Sequence, residues 1–221
     1  MLSDCNINYL LDDIICEALL TIFLEKRDIG ILIFNCSGHF NYEKLLSCLK
    51  NKIMTRVVKK DYNREHQDFP NDILEKILNN FFVTEIFDAN QLYITIHNLE
   101  NIYVEHPNIA MIIFDSITAF YWSEQNFKIT KMDLCLKKIL QLIQKVTREY
   151  KTTILYTKPD YFKSFIDNVE PYSETLNTEK ITYRVQITQS THSKYKVNVR
   201  TSKDTHKKEY FIEDNIINWV K

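Results

Sequence analysis

Glycine is scarce in this sequence, with Gly30 and Gly38 as its two occurrences among 221 residues. Loops that bind phosphate need glycine because their backbone amides approach the anion closely, often at positive φ angles. A P-loop requires GxxxxGK followed by Ser or Thr, and a dinucleotide-binding fingerprint requires three closely spaced glycines. Neither pattern can be written with Gly30 and Gly38. The sequence as given therefore contains neither kind of phosphate-binding loop.

The composition is that of a globular protein, with 45% hydrophobic and 26% charged residues. At this length we expect a single domain over residues 1–221. The formal net charge is -1 and the pI is about 6.6, whereas a dedicated nucleic-acid-binding protein usually carries a clear basic excess. Any contact with DNA is therefore expected to be local or shared with a partner.

The cysteines do not have the pattern of a metal site or a disulfide framework, and the N-terminal apolar run does not have that of a signal peptide or a membrane span. The five cysteines are widely separated and no two have CxxC spacing. We therefore expect no metal site and no disulfide framework, but reduced and mostly buried thiols. Residues 9–24 form an apolar run that Asp12, Asp13 and Glu17 interrupt. These charges argue against a signal peptide or a membrane span.

Apolar periodicity predicts alternating helices and strands over most of the chain. Helices are expected at residues 10–26, 40–49, 70–78, 91–103 and 132–150, and strands at 31–34, 81–86, 109–114 and 152–156. This alternation predicts an α/β fold whose mainly parallel, twisted sheet has helices on both faces. Residues 50–67 are expected to form a loop or a loose helix, and residues 157–178 a long loop. The alternating segments 182–188, 194–201 and 210–212 predict a C-terminal antiparallel extension.

An aspartate ends the strongest predicted strand, whose sequence is Met111-Ile112-Ile113-Phe114-Asp115. Four apolar residues followed by an acid are typical of a Walker B element, in which the carboxylate lies beside a phosphate-bound magnesium ion. The alternative is that Asp115 merely caps the turn after the strand. The short motif by itself does not decide between these two roles.

The residues that follow Asp115 resemble those of a known family. The block Asp115-Ser116-Ile117-Thr118-Ala119-Phe120-Tyr121-Trp122 is similar to the eukaryotic RecA-like recombinases, in which this strand continues as DSxxA, a hydrophobic residue and Tyr. Its Phe-Tyr-Trp ending resembles one branch of small recombinase paralogues. Similar segments also occur at residues 32–34, 38–40, 80–83, 106–107 and 211–219. The resemblance spans roughly residues 10–220 and implies a RecA-like P-loop-NTPase core.

The sequence departs from that family at three parts of the phosphate-handling machinery. The given chain begins a few residues before the first predicted helix, so we expect the preceding strand, the P-loop and the N-terminal DNA-binding domain to be missing. Ser37 aligns with the glutamate of the family's DTEGxF strand, and a serine hydroxyl is no base at neutral pH. Thr157-Lys158-Pro159 replaces Thr-Asn-Gln, a γ-phosphate sensor, and Pro159 offers neither an amide side chain nor a backbone N–H.

These departures predict a degenerate ATPase that binds no nucleotide cofactor and is not an enzyme. Ser37, Asp115 and Pro159 are then degenerate positions of a nucleotide site. The alternative is that the chain is an N-terminally truncated product of a gene that encodes a working P-loop upstream of Met1. Even then, Ser37 and Pro159 argue against hydrolysis.

The resemblance implies an adaptor that docks onto another recombinase paralogue, the D-type, in a heteromeric complex in the nucleus. Family members associate head to tail, with one subunit's linker added to the sheet edge and an apolar pocket of the next. Without a linker of its own, this chain is expected to receive one and to end an assembly. The expected receiving residues are Leu32, Ile33, Phe34, Phe82, Leu92, Ile96 and Leu99. The alternative is that these apolar residues are ordinary core.

A second hypothesis is a single-stranded DNA-binding accessory protein that stabilises recombinase filaments. The resemblance implies two DNA-facing loops, residues 123–131 and 158–179, and the second contains Lys158, Tyr161, Phe162 and Lys163. Cations mixed with aromatic rings suit single strands, although acidic residues in the same loop repel phosphate. The basic residues between 50 and 64 are either a DNA patch or a solvated face.

Overall fold

The computed structural model describes residues 5–57, 69–124, 132–158, 181–191, 193–213 and 216–220. The chain divides into two compact units. The parallel unit comprises Leu11–Pro159, and the antiparallel unit comprises Asp160–Lys221 together with Met1–Leu10. None of the described helices combines the length and the apolar character needed to cross a membrane. The prediction of a single domain stays a prediction.

The parallel unit contains the four parallel strands that the sequence predicts. They are β1 Gly30–Asn35, β2 Phe81–Glu85, β3 Ile109–Asp115 and β4 Thr153–Tyr156. Their order across the sheet is β2-β1-β3-β4, and every neighbouring pair is parallel. The two central strands are therefore β1 and β3, which explains their uninterrupted apolar character, since both of their faces are covered.

Six helices accompany this sheet in the described part of the chain. They are α1 Cys5–Leu24, α2 Tyr42–Arg56, α3 Phe69–Leu78, α4 Ala89–His97, α5 Leu99–Glu105 and α6 Met132–Val146. The side chains of Asn41 and Asp88 cap α2 and α4 by accepting backbone N–H bonds, as is usual for these residue types.

The predicted helices differ from those in the structure at several ends: α1 begins at Cys5 instead of residue 10, and α6 ends at Val146 instead of residue 150. Helix α2 extends to Arg56, so part of the predicted loop or loose helix at 50–67 is regular helix. The predicted helix at 91–103 is divided into α4 and α5 at Asn98, whose backbone leaves the helical region at φ -88° and ψ 2°. Asn98 accepts a hydrogen bond from the Asn101 side chain, and such local polar contacts compete with a continuous helix.

Two apolar clusters cover the two faces of the parallel sheet. One cluster joins Leu32 and Phe34 of β1 to residues of α4, α5 and α6. The other joins Ile31 and Ile33 to residues of α1, α2 and α3. Alternate residues of β1 therefore point to opposite layers, as the pleat of a strand requires. The predicted α/β architecture with helices on both faces is confirmed.

The antiparallel unit contains a four-stranded meander. Its strands are β5 Arg184–Gln189, β6 Lys194–Arg200, β7 Thr205–Glu213 and β8 Ile216–Trp219, in the order β5-β6-β7-β8. All three neighbouring pairs are antiparallel. The predicted C-terminal antiparallel strands are therefore present, as a sheet of their own, and β8 adds a strand that the sequence pattern did not resolve.

Candidate functional site

The candidate site lies where β1, β3 and β4 reach their carboxyl ends. Asp115 is the last residue of β3, Ser37 follows β1 by two residues, and Thr157 directly follows β4. Parallel neighbours bring these ends to one edge of the sheet, where ligands of such sheets usually bind. Ser37 and Asp115, which the sequence paired from a family pattern, are brought together here.

The Asp115 carboxylate is enclosed by two hydroxyl groups. Thr157 Oγ1 donates to Oδ1 over 2.5 Å, and Ser37 Oγ donates to Oδ2 over 3.4 Å. Asp115 is only 4% exposed. The site therefore satisfies both oxygens of the carboxylate with neutral donors from the neighbouring strands.

The backbone around Asp115 is held equally closely. The carbonyl oxygen of Asp115 accepts the N–H groups of Cys36 at 2.6 Å and Ser37 at 2.9 Å. Thr157 N–H donates to Phe114 O, and Thr157 O accepts from the Ser116 hydroxyl. The peptide between Asp115 and Ser116 is cis. The three segments that form the site are therefore tied together by main-chain bonds as well as by side chains.

Burial raises the pKa of Asp115 above its ordinary value. The hydrogen bonds from Thr157 and Ser37 and the nearby charge of His39 lower the pKa, but they offset only part of this effect. The carboxylate is thus harder to ionise than a solvated aspartate. A carboxylate that serves as a magnesium ligand needs the opposite, an accessible and readily ionised oxygen.

A second buried carboxylate, Asp12 of α1, belongs to the same region. Lys44 Nζ lies 3.0 Å from Asp12 Oδ2. Burial raises the pKa of Asp12, the ion pair with Lys44 lowers it, and the negative charge of Asp115 raises it again. Asp12 therefore interrupts the apolar run of α1 because it is paired inside the fold.

Sequence reasoning missed two residues of this edge, Thr157 as a partner of Asp115 and Glu85 at the end of β2. Asn35 Nδ2 donates to Glu85 Oε2 over 2.8 Å, and Asn35 Oδ1 accepts the N–H of Phe40 at 3.4 Å. Both missed residues stand at the carboxyl end of a predicted parallel strand, and that position was the available signal. Pro159, the third predicted position, lies outside the described residues.

The chemistry available at this edge of the parallel sheet is limited by the kinds of side chain that it contains. The Ser37 hydroxyl donates a hydrogen bond to Asp115, so the side chain at the expected base position acts as a hydrogen-bond donor. Within the part of the chain that the structure describes, no three His, Cys, Asp or Glu side chains are grouped closely enough to hold a metal ion. The arrangement stabilises one buried carboxyl group.

The structure places most of the predicted partner-binding residues in the core. Leu32, Ile33, Phe34, Leu92, Ile96 and Leu99 are all buried, as the alternative interpretation of these residues expects. Phe82 is half-buried and its ring lies 4.5 Å from that of His106. Of the seven predicted residues, Phe82 alone retains appreciable exposure, so a docking surface has to be sought around it on β2.

The predicted DNA-contact residues are only partly described. Lys158 is exposed and its Nζ lies 3.7 Å from Asp133 Oδ1, whereas Tyr161, Phe162 and Lys163 lie outside the described residues. Among the basic residues between 50 and 64, Lys52 and Arg56 form ion pairs with acids of α1. Because these two cations are paired with acids of a neighbouring helix, they are neither free to contact DNA nor simply solvated.

Comparison with known proteins finds similar sequences, although no family model matches the chain. DNA repair protein XRCC2 of Mus musculus is 20% identical over 145 residues, which are 64% of this chain and 48% of that protein. DNA repair and recombination protein RadB of Thermococcus sibiricus is 34% identical over 99 residues, which are 45% of this chain and 42% of RadB. The chain thus spans about half the length of the curated relatives that it matches.

Proposed function

Because the chain is homologous to RecA-like recombinase paralogues and close to XRCC2, we propose that it acts in recombination repair of DNA double-strand breaks as a non-catalytic adaptor. In this role it docks onto another recombinase paralogue, the D-type, within a heteromeric nuclear complex. The names of these relatives, a DNA repair protein and a DNA repair and recombination protein, support the repair role. The non-catalytic role and the docking edge are argued from the geometry of the chain itself, whereas the choice of the D-type partner rests on the family resemblance.

The enclosed carboxyl group of Asp115 carries the non-catalytic part of the proposal. A magnesium ion would have to replace the hydroxyl of Thr157 or Ser37 and take up a carboxylate whose pKa is raised by burial. Phosphoryl transfer also needs a group that orients or deprotonates the attacking water. Ser37 stands at that position as a hydrogen-bond donor, which supports a site without hydrolytic activity.

Titration of a fluorescent ATP analogue into the purified chain, with and without magnesium, tests this part. We expect no saturable binding at micromolar concentrations, and the same result for Asp115→Asn. Magnesium-dependent binding that Asp115→Asn abolishes and the surface change Asp28→Asn leaves intact would contradict the proposal. Asp28 is exposed and precedes β1, so it is a matched change of charge at the opposite end of the strand.

An edge strand carries the docking part of the proposal. β2 is the terminal strand of the parallel sheet, and Val83 at its centre is 39% exposed. Asn80 and Ile86 direct backbone groups to β1, because Asn80 O accepts from Ile31 N–H and Ile86 N–H donates to Asn35 O. Backbone direction alternates along a strand, so Val83 turns its N–H away from β1. A partner segment can pair with that edge by strand addition.

Replacement of Val83 by proline tests strand addition directly. Val83→Pro removes an outward N–H while the pairing with β1 stays intact, a change that edge strands tolerate. We expect it to reduce recovery of the partner paralogue in pull-downs about tenfold or more, whereas Val83→Ala, which keeps the N–H, retains most of it. Equal recovery with a folded Val83→Pro chain would rule out strand addition at β2.

Direct DNA binding by the second predicted loop remains the alternative. In the described part of that loop, Lys158 is near Asp133, so this cation is partly neutralised. No contact among the described residues favours this alternative over the adaptor role.

A further inference from the structure

An excess of positive charge occurs in the segment that forms the antiparallel sheet. Residues 181–220 contain seven Lys or Arg and four Asp or Glu residues, although the whole chain has a formal net charge of -1. The remainder of the chain is therefore acidic. A basic excess restricted to one sheet is a local electrostatic feature of the kind that near-neutral proteins use to contact polyanions.

The strand register gathers five of these seven cations on one face. Lys196 pairs with Thr188 of β5 and with Glu209 of β7, and Arg200 pairs with Arg184 and Thr205. Residues directly opposite each other in an antiparallel pair point to the same side, and so do alternate residues of each strand. We name this side the basic face, and its members that matter here are Arg184, Lys194, Lys196, Arg200, Lys207 and Phe211.

The opposite face of the same sheet is apolar. Tyr195, Val197 and Tyr210, which alternate with the residues of the basic face, are buried. The rings of Tyr195 and Tyr210 stack at 5.1 Å, and Tyr210 also lies against Trp219. The sheet thus has one packed face and one polar face, and its polar face is the side available to a ligand.

The basic face carries five cations and two acids, Glu209 and Glu213, so its net charge is positive. Glu209 forms ion pairs with two of these cations, with Lys194 Nζ at 2.6 Å and Lys196 Nζ at 3.8 Å, and its single charge offsets one of them. Arg200 and Lys207 form no ion pair with a carboxylate in the described part of the sheet. Phe211 lies on the same face, opposite Lys194, and is 37% exposed.

From this arrangement we propose that the basic face of the antiparallel sheet binds single-stranded DNA. Lys and Arg contact the phosphates, and amide or hydroxyl side chains beside them, such as Asn198 and Gln186, donate to phosphate or base oxygens. The Phe211 ring provides a surface on which an unpaired base stacks. A duplex offers no unpaired base, so the face prefers a single strand.

Fluorescence anisotropy of a labelled oligo-thymidine with the whole chain tests this site. Arg200→Gln with Lys207→Gln removes two cations from the basic face. For two lost phosphate contacts, the slope of log Kd against log salt concentration falls by about 1.4, and Kd at about 0.1 M salt rises about 25-fold. Lys203→Gln with Lys208→Gln is the matched control, because it removes the same charge from the β6–β7 turn and from the packed side of β7.

A separate pair of variants tests the contribution of the Phe211 ring to DNA binding. Phe211→Ala is expected to weaken binding about fivefold or more, because it removes a stacking surface. Phe87→Ala removes a more exposed ring from the parallel unit and is expected to leave binding unchanged. Urea unfolding of each variant establishes that it is folded.

Several results would overturn the proposal. They are the absence of binding to the wild-type chain at low salt, equal losses in the two double variants, and duplex binding as tight as single-strand binding. The inference goes beyond the adaptor role and does not depend on it. A chain that fails to recover the partner but binds the oligonucleotide would contradict docking alone, and the reverse result would contradict the basic face alone.

Discussion

At the scale of single residues, the hydroxyl groups of Thr157 and Ser37 stabilise the Asp115 carboxylate. The 2.5 Å bond from Thr157 is short and comes from a half-buried side chain, whereas the 3.4 Å bond from Ser37 is long. A buried carboxyl group without donors carries a large desolvation cost. Thr157 therefore contributes more than Ser37 to the stability of this edge of the sheet, although Ser37 was the residue singled out by its family position.

Substitution of each hydroxyl tests this ranking. Thr157→Val is expected to lower the free energy of unfolding at neutral pH by about 1–3 kcal/mol, because it leaves one carboxylate oxygen without a donor. Ser37→Ala is expected to cost about 1 kcal/mol or less, because the bond that it removes is long. Urea unfolding measures both values, and an equal or larger loss for Ser37→Ala would contradict the ranking.

The pH dependence of these variants follows from the raised pKa of Asp115. The folded chain holds this proton more tightly than the unfolded chain, so the contribution of Asp115 to stability falls as pH rises above 3.8 and through the raised pKa. Thr157→Val raises that pKa further, since it removes a bond that favours the charged form. The difference in the free energy of unfolding between Thr157→Val and the wild-type chain is therefore expected to be smaller when unfolding is repeated at about pH 4.

At the scale of elements, an ion-pair network joins α1 to α2. Lys52 Nζ lies 2.6 Å from Asp13 and 2.5 Å from Glu17, and Arg56 forms a two-pronged contact with Glu17 at 2.6 and 2.7 Å. Burial by itself lowers the pKa of Lys52, but the hydrogen bonds with Asp13 and Glu17 raise it by more. The pKa of Lys52 therefore lies above its ordinary value. The acids that interrupt the apolar run of α1 are thus the partners of cations one helix away.

The two cations of this network differ in exposure, which predicts different costs of removal. The Lys52 side chain is 16% exposed and the Arg56 side chain is 50% exposed. Lys52→Ala is expected to cost about 1–3 kcal/mol, because it leaves two carboxylates in a partly buried position without their cation. Arg56→Ala is expected to cost about 1 kcal/mol or less, since its pair is screened by solvent. Thermal unfolding compares them, and equal losses would show that burial does not govern the network.

At the scale of the whole molecule, the two proposed binding surfaces lie in different units. The docking edge is β2 of the parallel unit, and the basic face belongs to the antiparallel sheet. The two surfaces also use different chemistry, since strand addition relies on backbone hydrogen bonds and the basic face relies on charge. Salt should therefore weaken DNA binding far more than partner binding.

Separation of the two functions is the expected outcome for the whole chain. Val83→Pro should lose the partner paralogue and keep its affinity for oligo-thymidine, whereas Arg200→Gln with Lys207→Gln should do the reverse. Parallel pull-down and anisotropy measurements on the same protein preparations make the comparison. Loss of both activities in either variant would indicate one shared surface instead of two.

The sequence by itself determined the order of the elements and the class of the fold. Apolar periodicity along β1, β3 and their helices is a local property, so it could be read without the structure. The family motif ending at Trp122 likewise identified Asp115, and the alignment with the family's DTEGxF strand identified Ser37 as a second residue of the same site. The antiparallel tail was predicted from the alternation of three segments, and the structure contains these strands and a fourth, β8.

Only the tertiary structure decided which side chains meet and which are exposed. Thr157 and Asp115 are 42 residues apart, and their bond depends on the parallel register of β3 and β4. Periodicity gives the same signal for a residue that packs in a core and for one that receives a partner, so Phe34 and Phe82 could not be told apart. Contacts between distant residues, and the burial that results from them, are set by how elements pack, which a local pattern does not contain.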